Sequence, residues 1–166
     1  VIELTIPDSD AMEALGARLA PLLRAGDLVL LNGELGAGKT TLTRGLGAAL
    51  GARGSVTSPT FVLAREHPTA SGVPLVHVDA YRLPSWRELD DLDLDYERAI
   101  VVVEWGAGKL DGVSESWLSI DIRRPIGGRG EAEGDVEFDA DEPREVTITG
   151  AGPRGLELEA SLAGRD

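Results

Sequence analysis

The sequence predicts one α/β domain over residues 1–166, built on a central, mostly parallel sheet flanked by helices, with a β-rich C-terminal third. Three features predict it. Asp27-Leu28-Val29-Leu30-Leu31-Asn32 and Ala99-Ile100-Val101-Val102-Val103-Glu104 are short apolar runs with little alternation, as expected of strands buried on both faces. The first run leads through a glycine-rich turn into Thr41–Leu50, whose apolar residues at 42, 46, 49 and 50 have helical spacing. Late in the chain, Trp117–Ile122 and Glu145–Thr149 read as further strands, and Leu156-Glu157-Leu158 as another.

Taken in order, Ile2-Glu3-Leu4-Thr5-Ile6 alternates apolar and polar residues and predicts a half-exposed strand. Pro7-Asp8-Ser9-Asp10 supplies helix caps, with Asp10 and Glu13 as a capping-box variant. Leu15, Leu19, Leu22 and Leu23 share one face of the helix that follows, and Pro21 falls inside that pattern, where it shortens or kinks the helix. Gly51 is the expected stop of the Thr41–Leu50 helix. Phe61–Glu66 and Pro74–Asp79 read as strands and Ser85 to about Leu92 as a helix. Residues 125–142, rich in glycine and acidic side chains, read as a flexible loop.

Composition narrows the function. The chain has no cysteine, which excludes disulfides and Cys-based zinc or iron–sulfur sites. The formal net charge is −13, so the surface repels nucleic-acid backbones and argues against strong binding of RNA or DNA by the chain alone. No apolar run approaches a membrane span, and no basic-then-apolar segment precedes residue 27, so the expectation is a cytoplasmic protein without a membrane role. The chain opens on Val1, which leaves open a missing initiator or short leader.

Gly33-Glu34-Leu35-Gly36-Ala37-Gly38-Lys39-Thr40 fits G-x-x-x-x-G-K-[ST] at every fixed position, between a predicted strand and a predicted helix. Gly33, Gly36 and Gly38 allow the backbone of Glu34, Leu35 and Ala37 to turn its N–H groups inward as an anion nest. The helix start at Lys39, Thr40 and Thr41 adds unpaired N–H groups and the positive end of a dipole. Lys39 is one of only two lysines and supplies a point charge for β- and γ-phosphates; Thr40 offers a hydroxyl to Mg²⁺. This chemistry points to a nucleoside triphosphate and to a P-loop NTPase-like domain.

Ligands of open α/β sheets bind at the carboxyl ends of the strands. Two predicted strands end there in a carboxylate, Asp79 and Glu104. A phosphate-loop enzyme needs one such group to hold Mg²⁺, directly or through water, and often another to orient attacking water. Glu104 ends a run that resembles a Walker B strand, with Glu replacing the usual Asp. On sequence alone, Asp79 is equally a candidate for a cap. His77 shares the face of Asp79, which leaves open a core position or a contact with the phosphate site. Trp105 is open between core, base stacking and partner binding, and Ser58-Pro59-Thr60 between a plain turn and a segment that senses Mg²⁺ or the γ-phosphate.

The blocks Gly33–Thr41, Thr57-Ser58-Pro59-Thr60-Phe61, His77-Val78-Asp79-Ala80-Tyr81-Arg82-Leu83 and Val103-Glu104-Trp105 occur in an order and spacing that resembles the bacterial TsaE (YjeE) family. The resemblance covers residues 1 to 122. It implies an ATPase of tRNA threonylcarbamoyladenosine biosynthesis that acts with the TsaB–TsaD heterodimer, reaching tRNA only through that complex. It further implies Mg²⁺ on Thr40 and Glu104, Asp79 in hydrolysis, a switch role for Thr60, and nucleotide contacts from Ser9 and from an arginine before a late strand, matched by Arg144. Residues 123–142 are longer and more acidic than the resemblance implies.

Two other readings compete. A small-molecule or nucleoside kinase would use Arg123, Arg124 and Arg129 as a lid, although their glycine-rich, acidic setting suits a solvent loop better. A regulatory GTPase would need Asn-Lys-x-Asp, and Gly108-Lys109-Leu110-Asp111 lacks the asparagine.

Overall fold

The computed structural model describes residues 1–33, 38–52, 64–79, 97–105, 116–124 and 143–164. The strands are β1 (Ile2–Ile6), β2 (Leu28–Gly33), β3 (Ala64–His67), β4 (Leu75–Asp79), β5 (Ile100–Trp105), β6 (Trp117–Arg123) and β7 (Arg144–Ala151). The helices among these residues are α1 (Ser9–Leu19), α2 (Lys39–Leu50) and α3 (Gly152–Ala163), with a 3-10 turn at Ala20–Leu22. The segments expected to form a helix near 85–92 and a flexible loop at 125–142 lie outside the described residues.

All seven strands join one sheet in the order β1-β7-β6-β2-β5-β4-β3. β2 runs parallel to both β5 and β6, and β4 runs parallel to β5. The outer pairings β1–β7, β6–β7 and β3–β4 are antiparallel. The sheet is therefore mixed rather than mostly parallel: a parallel centre closed at both sides by antiparallel strands. From β2 the chain passes to the far edge, returns through β4 and β5, then crosses to β6 on the other side of β2. That reversal at β2 is the kind of switch point at which open sheets bind ligands.

The central strands are buried on both faces, as their unbroken apolar runs require. One face presents Val29, Leu31, Val102, Leu118, Ile120 and Ile122 to a core that includes Met12, Leu15 and Leu19 of α1, Leu42 and Leu46 of α2, and Leu158 and Leu162 of α3. On the other face, Leu28, Leu30, Val76, Val78, Val101 and Val103 are buried as well. Among the described residues no helix is long and apolar enough to cross a membrane.

Glycine sets the distance between α1 and α2. A Cβ on Gly45 would stand 2.1 Å from the carbonyl oxygen of Glu13, and one on Gly16 would stand 2.2 Å from that of Leu42. The two helices thus pack backbone against backbone.

Several local expectations change. The side chain that caps α1 is Asp8, which accepts from the Ala11 N–H at 2.8 Å, and not Asp10. Asp8 precedes the first helical residue in extended conformation, the geometry a cap needs, and such a cap contributes ~1 kcal/mol. Pro21 does end α1, the chain tightening there into the 3-10 turn. Gly51, at φ 71°, terminates α2 as expected. Leu156-Glu157-Leu158, read as a strand, lies within α3. Three alternating residues cannot distinguish the two periods. Pro153 opens the helix, Leu158 and Leu162 face the core at helical spacing, and Leu156 is exposed. Among its described residues, the C-terminal third therefore holds two strands and a helix.

A contact across most of the chain locks α3 in place. Arg154 donates through Nε and Nη2 to the two carboxylate oxygens of Asp27, both at 2.8 Å, and through Nη2 to the Leu22 carbonyl at 2.7 Å. Those bonds to Asp27 raise the guanidinium's pKa above its ordinary value, against the opposing effect of burial. Asp27 is buried, so loss of Arg154 would strand its charge, a type of change that costs about 3–5 kcal/mol. The lock fixes the start of β2, at the opposite end from the strand's glycine-rich exit.

Candidate functional site

β2 ends at Gly33 and α2 begins at Lys39. Between them, Glu34, Leu35, Gly36 and Ala37 lie outside the described residues, as does Thr60. Gly38 caps α2 at φ 116°, in the region that favours glycine, and no side chain caps the helix there. A helix start of this kind, with no side-chain cap among the described residues, favours an anion through its N–H groups and dipole.

Lys39 is nine-tenths buried in the first turn of α2, where its ammonium donates to the Gly33 carbonyl at 2.6 Å. A cation at the positive end of a helix opposes the dipole and weakens the helix slightly. Side chains set against local stability in this way belong at functional positions. Thr43 bonds back to the Lys39 carbonyl at 2.9 Å and ties the turn that carries the lysine. Thr41, in the same turn, is half-buried.

The carboxylates arrive from the sheet. In the parallel register, Glu104 of β5 lies between Leu31 of β2 and Asp79 of β4. The strands expected to deliver Asp79 and Glu104 thus end side by side at the carboxyl edge. Glu104 is 5% exposed, and its Oε1 accepts from the Thr40 hydroxyl at 3.4 Å. Its Oε2 meets Nε2 of fully buried His77 at 2.8 Å. A sequence reading leaves His77 between core and site; the structure packs it in the sheet and bonds it to Glu104. The signal for this was alternation: His77 lies opposite Val102, on the face of Glu104, two residues short of it, a diagonal that a long side chain spans.

Two further expected residues reach the same edge by topology. β7 runs antiparallel to β6, so Arg144 begins it beside the carboxyl ends of β6 and β2. Arg144 is fully buried and pairs in register with Ile6, the end of β1. Ser9 opens α1 just past that end. Trp105 ends β5 in register with Asn32.

Chemically, the site combines an uncapped helix start, a buried lysine and two hard oxygen donors turned toward each other. The Thr40 hydroxyl and a Glu104 oxygen suit Mg²⁺, which takes one or two protein oxygens and completes its octahedron with water and phosphate. No cluster of three or more His, Cys, Asp or Glu side chains able to hold a metal occurs among the described residues.

Comparison with known proteins bears on this arrangement. The family model described as "Threonylcarbamoyl adenosine biosynthesis protein TsaE" matches residues 6–129. The tRNA threonylcarbamoyladenosine biosynthesis protein TsaE of Streptomyces coelicolor is 56% identical over 155 residues, covering 91% of this chain and 98% of the relative. The protein of that name from Bacillus subtilis is 33% identical, covering 86% of this chain and 81% of the relative. Among solved structures, the crystal structure of Bacillus subtilis YdiB superposes with a TM-score of 0.66 at 27% identity, over 98% of this chain and 93% of that one. On a family match that spans most of the chain and a relative alike over nearly its whole length, this chain belongs to the TsaE family.

Proposed function

We propose that this chain serves tRNA threonylcarbamoyladenosine biosynthesis as a Mg²⁺-dependent ATPase of P-loop type, acting with the TsaB–TsaD heterodimer. The observation that carries the enzymatic reading is the approach of Thr40 and Glu104, from helix and sheet, beside the buried Lys39. The biosynthetic role follows the name borne by its relatives.

Lys39 gives up its bond to the Gly33 carbonyl and meets the β- and γ-phosphates, while the N–H groups at the start of α2 hold phosphate oxygens. Thr40 and Glu104 would hold Mg²⁺, which when bound offsets phosphate charge. Asp79, in register with Glu104 at the sheet edge, orients water. Ser9 and Arg144 contact the nucleotide from the β1–β7 side of that edge, and Trp105 and Thr60 complete the set.

Thr40→Ala and Glu104→Ala are each expected to lose the Mg²⁺-dependent part of ATP affinity while keeping the affinity measured in EDTA. Calorimetric titration in the two media checks this. Mg²⁺ dependence unchanged in both variants would place the metal elsewhere.

The link to tRNA runs through protein. At a net charge of −13, repulsion from the phosphate backbone makes direct tRNA binding weak at physiological salt. The ATP and ADP states should differ in affinity for the heterodimer, since a ligand shifts partner binding only by its differential preference for two states. Pull-downs with ATP, ADP or no nucleotide, beside a gel shift of tRNA with the chain alone, test this. Tight tRNA binding by the chain alone, with heterodimer association indifferent to nucleotide, would overturn the reading.

A further inference from the structure

We propose that His77 is a positioning residue that sets the orientation of the Glu104 carboxylate, so that Oε1 alone is presented to Mg²⁺ beside Thr40. The inference rests on the ATPase reading above and deepens it. Glu104 divides its two oxygens: Oε2 is held by His77 Nε2 at 2.8 Å and Oε1 faces the Thr40 hydroxyl at 3.4 Å. The last torsion of a glutamate is broad and nearly two-fold, so an unheld carboxylate samples many orientations of its oxygens. A donor fixed in the sheet removes that freedom. His77 is such a donor, fully buried within β4 on the strand next to Glu104.

The imidazole's own bonding favours this role over simple packing. An ionised carboxylate only accepts, so the bond places the imidazole proton on Nε2. Nδ1 is buried and finds no partner among the described residues. His77 therefore occupies the sheet with one of its two nitrogens unsatisfied, where an apolar side chain would fill the space without that cost. Among the described residues, the bond of its ring is the one to Glu104. Partners of metal-binding carboxylates act in this way, and their loss typically weakens the metal site 10–100-fold.

The test compares wild type with His77→Leu, His77→Gln and His77→Asn. ATP is titrated calorimetrically in Mg²⁺ and in EDTA, and thermal unfolding is followed alongside. The glutamine amide nitrogen reaches the place of Nε2; that of asparagine reaches only the place of Nδ1. His77→Leu and His77→Asn are expected to lose about tenfold of the affinity gained from Mg²⁺, with the affinity in EDTA unchanged. His77→Gln should restore most of the gain. If His77→Leu does not fold, the Gln and Asn variants decide: an equal Mg²⁺ gain in the two overturns the proposal. So does a loss of affinity in EDTA as large as that in Mg²⁺, which would mark a purely structural role. A wild-type chain whose ATP affinity ignores Mg²⁺ would overturn the underlying reading together with this one. A normal wild-type gain that persists in His77→Leu would overturn only the inference about His77.

Discussion

Lys39→Ala is expected to lower ATP affinity on the order of 100-fold, the loss of charge-assisted bonds worth about 1.5–3 kcal/mol each. The lysine cannot be replaced locally. The only other lysine is Lys109, far along the chain, and positive charge is otherwise carried by arginines, whose planar heads do not act as point charges. Lys39 is also held ready: its ammonium is buried and bonded to the Gly33 carbonyl at the exit of β2. Phosphate therefore meets a cation already stripped of most of its water. Alanine is the best helix former, so α2 should persist in the variant and its thermal midpoint should move little. Titration with ATP or a fluorescent analogue measures the effect, and near-wild-type affinity would remove the phosphate-loop reading altogether.

Asp79→Asn should separate binding from chemistry. The variant is expected to bind ATP and Mg²⁺ as wild type does and to hydrolyse ATP about 100-fold or more slowly, the usual weight of a positioned general base. Asparagine keeps the shape and a hydrogen-bonding head but cannot take a proton or draw water as a carboxylate does. The register places Asp79 at the level of Glu104 on the adjoining strand, which puts the two carboxylates at one edge without giving them one job. An effect confined to turnover is what a group acting mainly in the transition state produces. Single-turnover hydrolysis beside equilibrium binding makes the distinction. A variant that hydrolyses normally would return Asp79 to the end of a strand and no more.

Much of the site was legible in the residues themselves. Gly33 through Thr41 carries its chemistry in consecutive positions, and local chemistry is what a sequence displays. Glu104 and Asp79 were legible too, because an apolar run that stops at a carboxylate marks both the strand and its end. The seven strands of the described residues were recognisable from apolar runs and alternation, whereas their order was not: β7 inserts between β1 and β6, and nothing in Glu145–Thr149 announces its neighbours. The antiparallel sense of β7 is what carries Arg144 to the carboxyl edge of the central strands. Leu156–Leu158 shows the opposite failure, since three residues are too few to separate a period of two from one of 3.6.

The sequence by itself determined the central strands, the first two helices, the glycine-rich turn from Gly33 to Lys39 and the identity of the charged residues that end the central strands. These depend on neighbours in the chain, through spacing, glycine conformation and helix dipole. Only the tertiary structure decided which of those residues touch. Glu104 lies between Thr40 and His77, and Arg154 reaches back to Asp27, because parallel strands and packed helices join positions that no local pattern relates. Burial then gives those contacts their weight. A carboxylate such as Glu104 or Asp27, removed from water, must be satisfied by whatever the fold brings beside it.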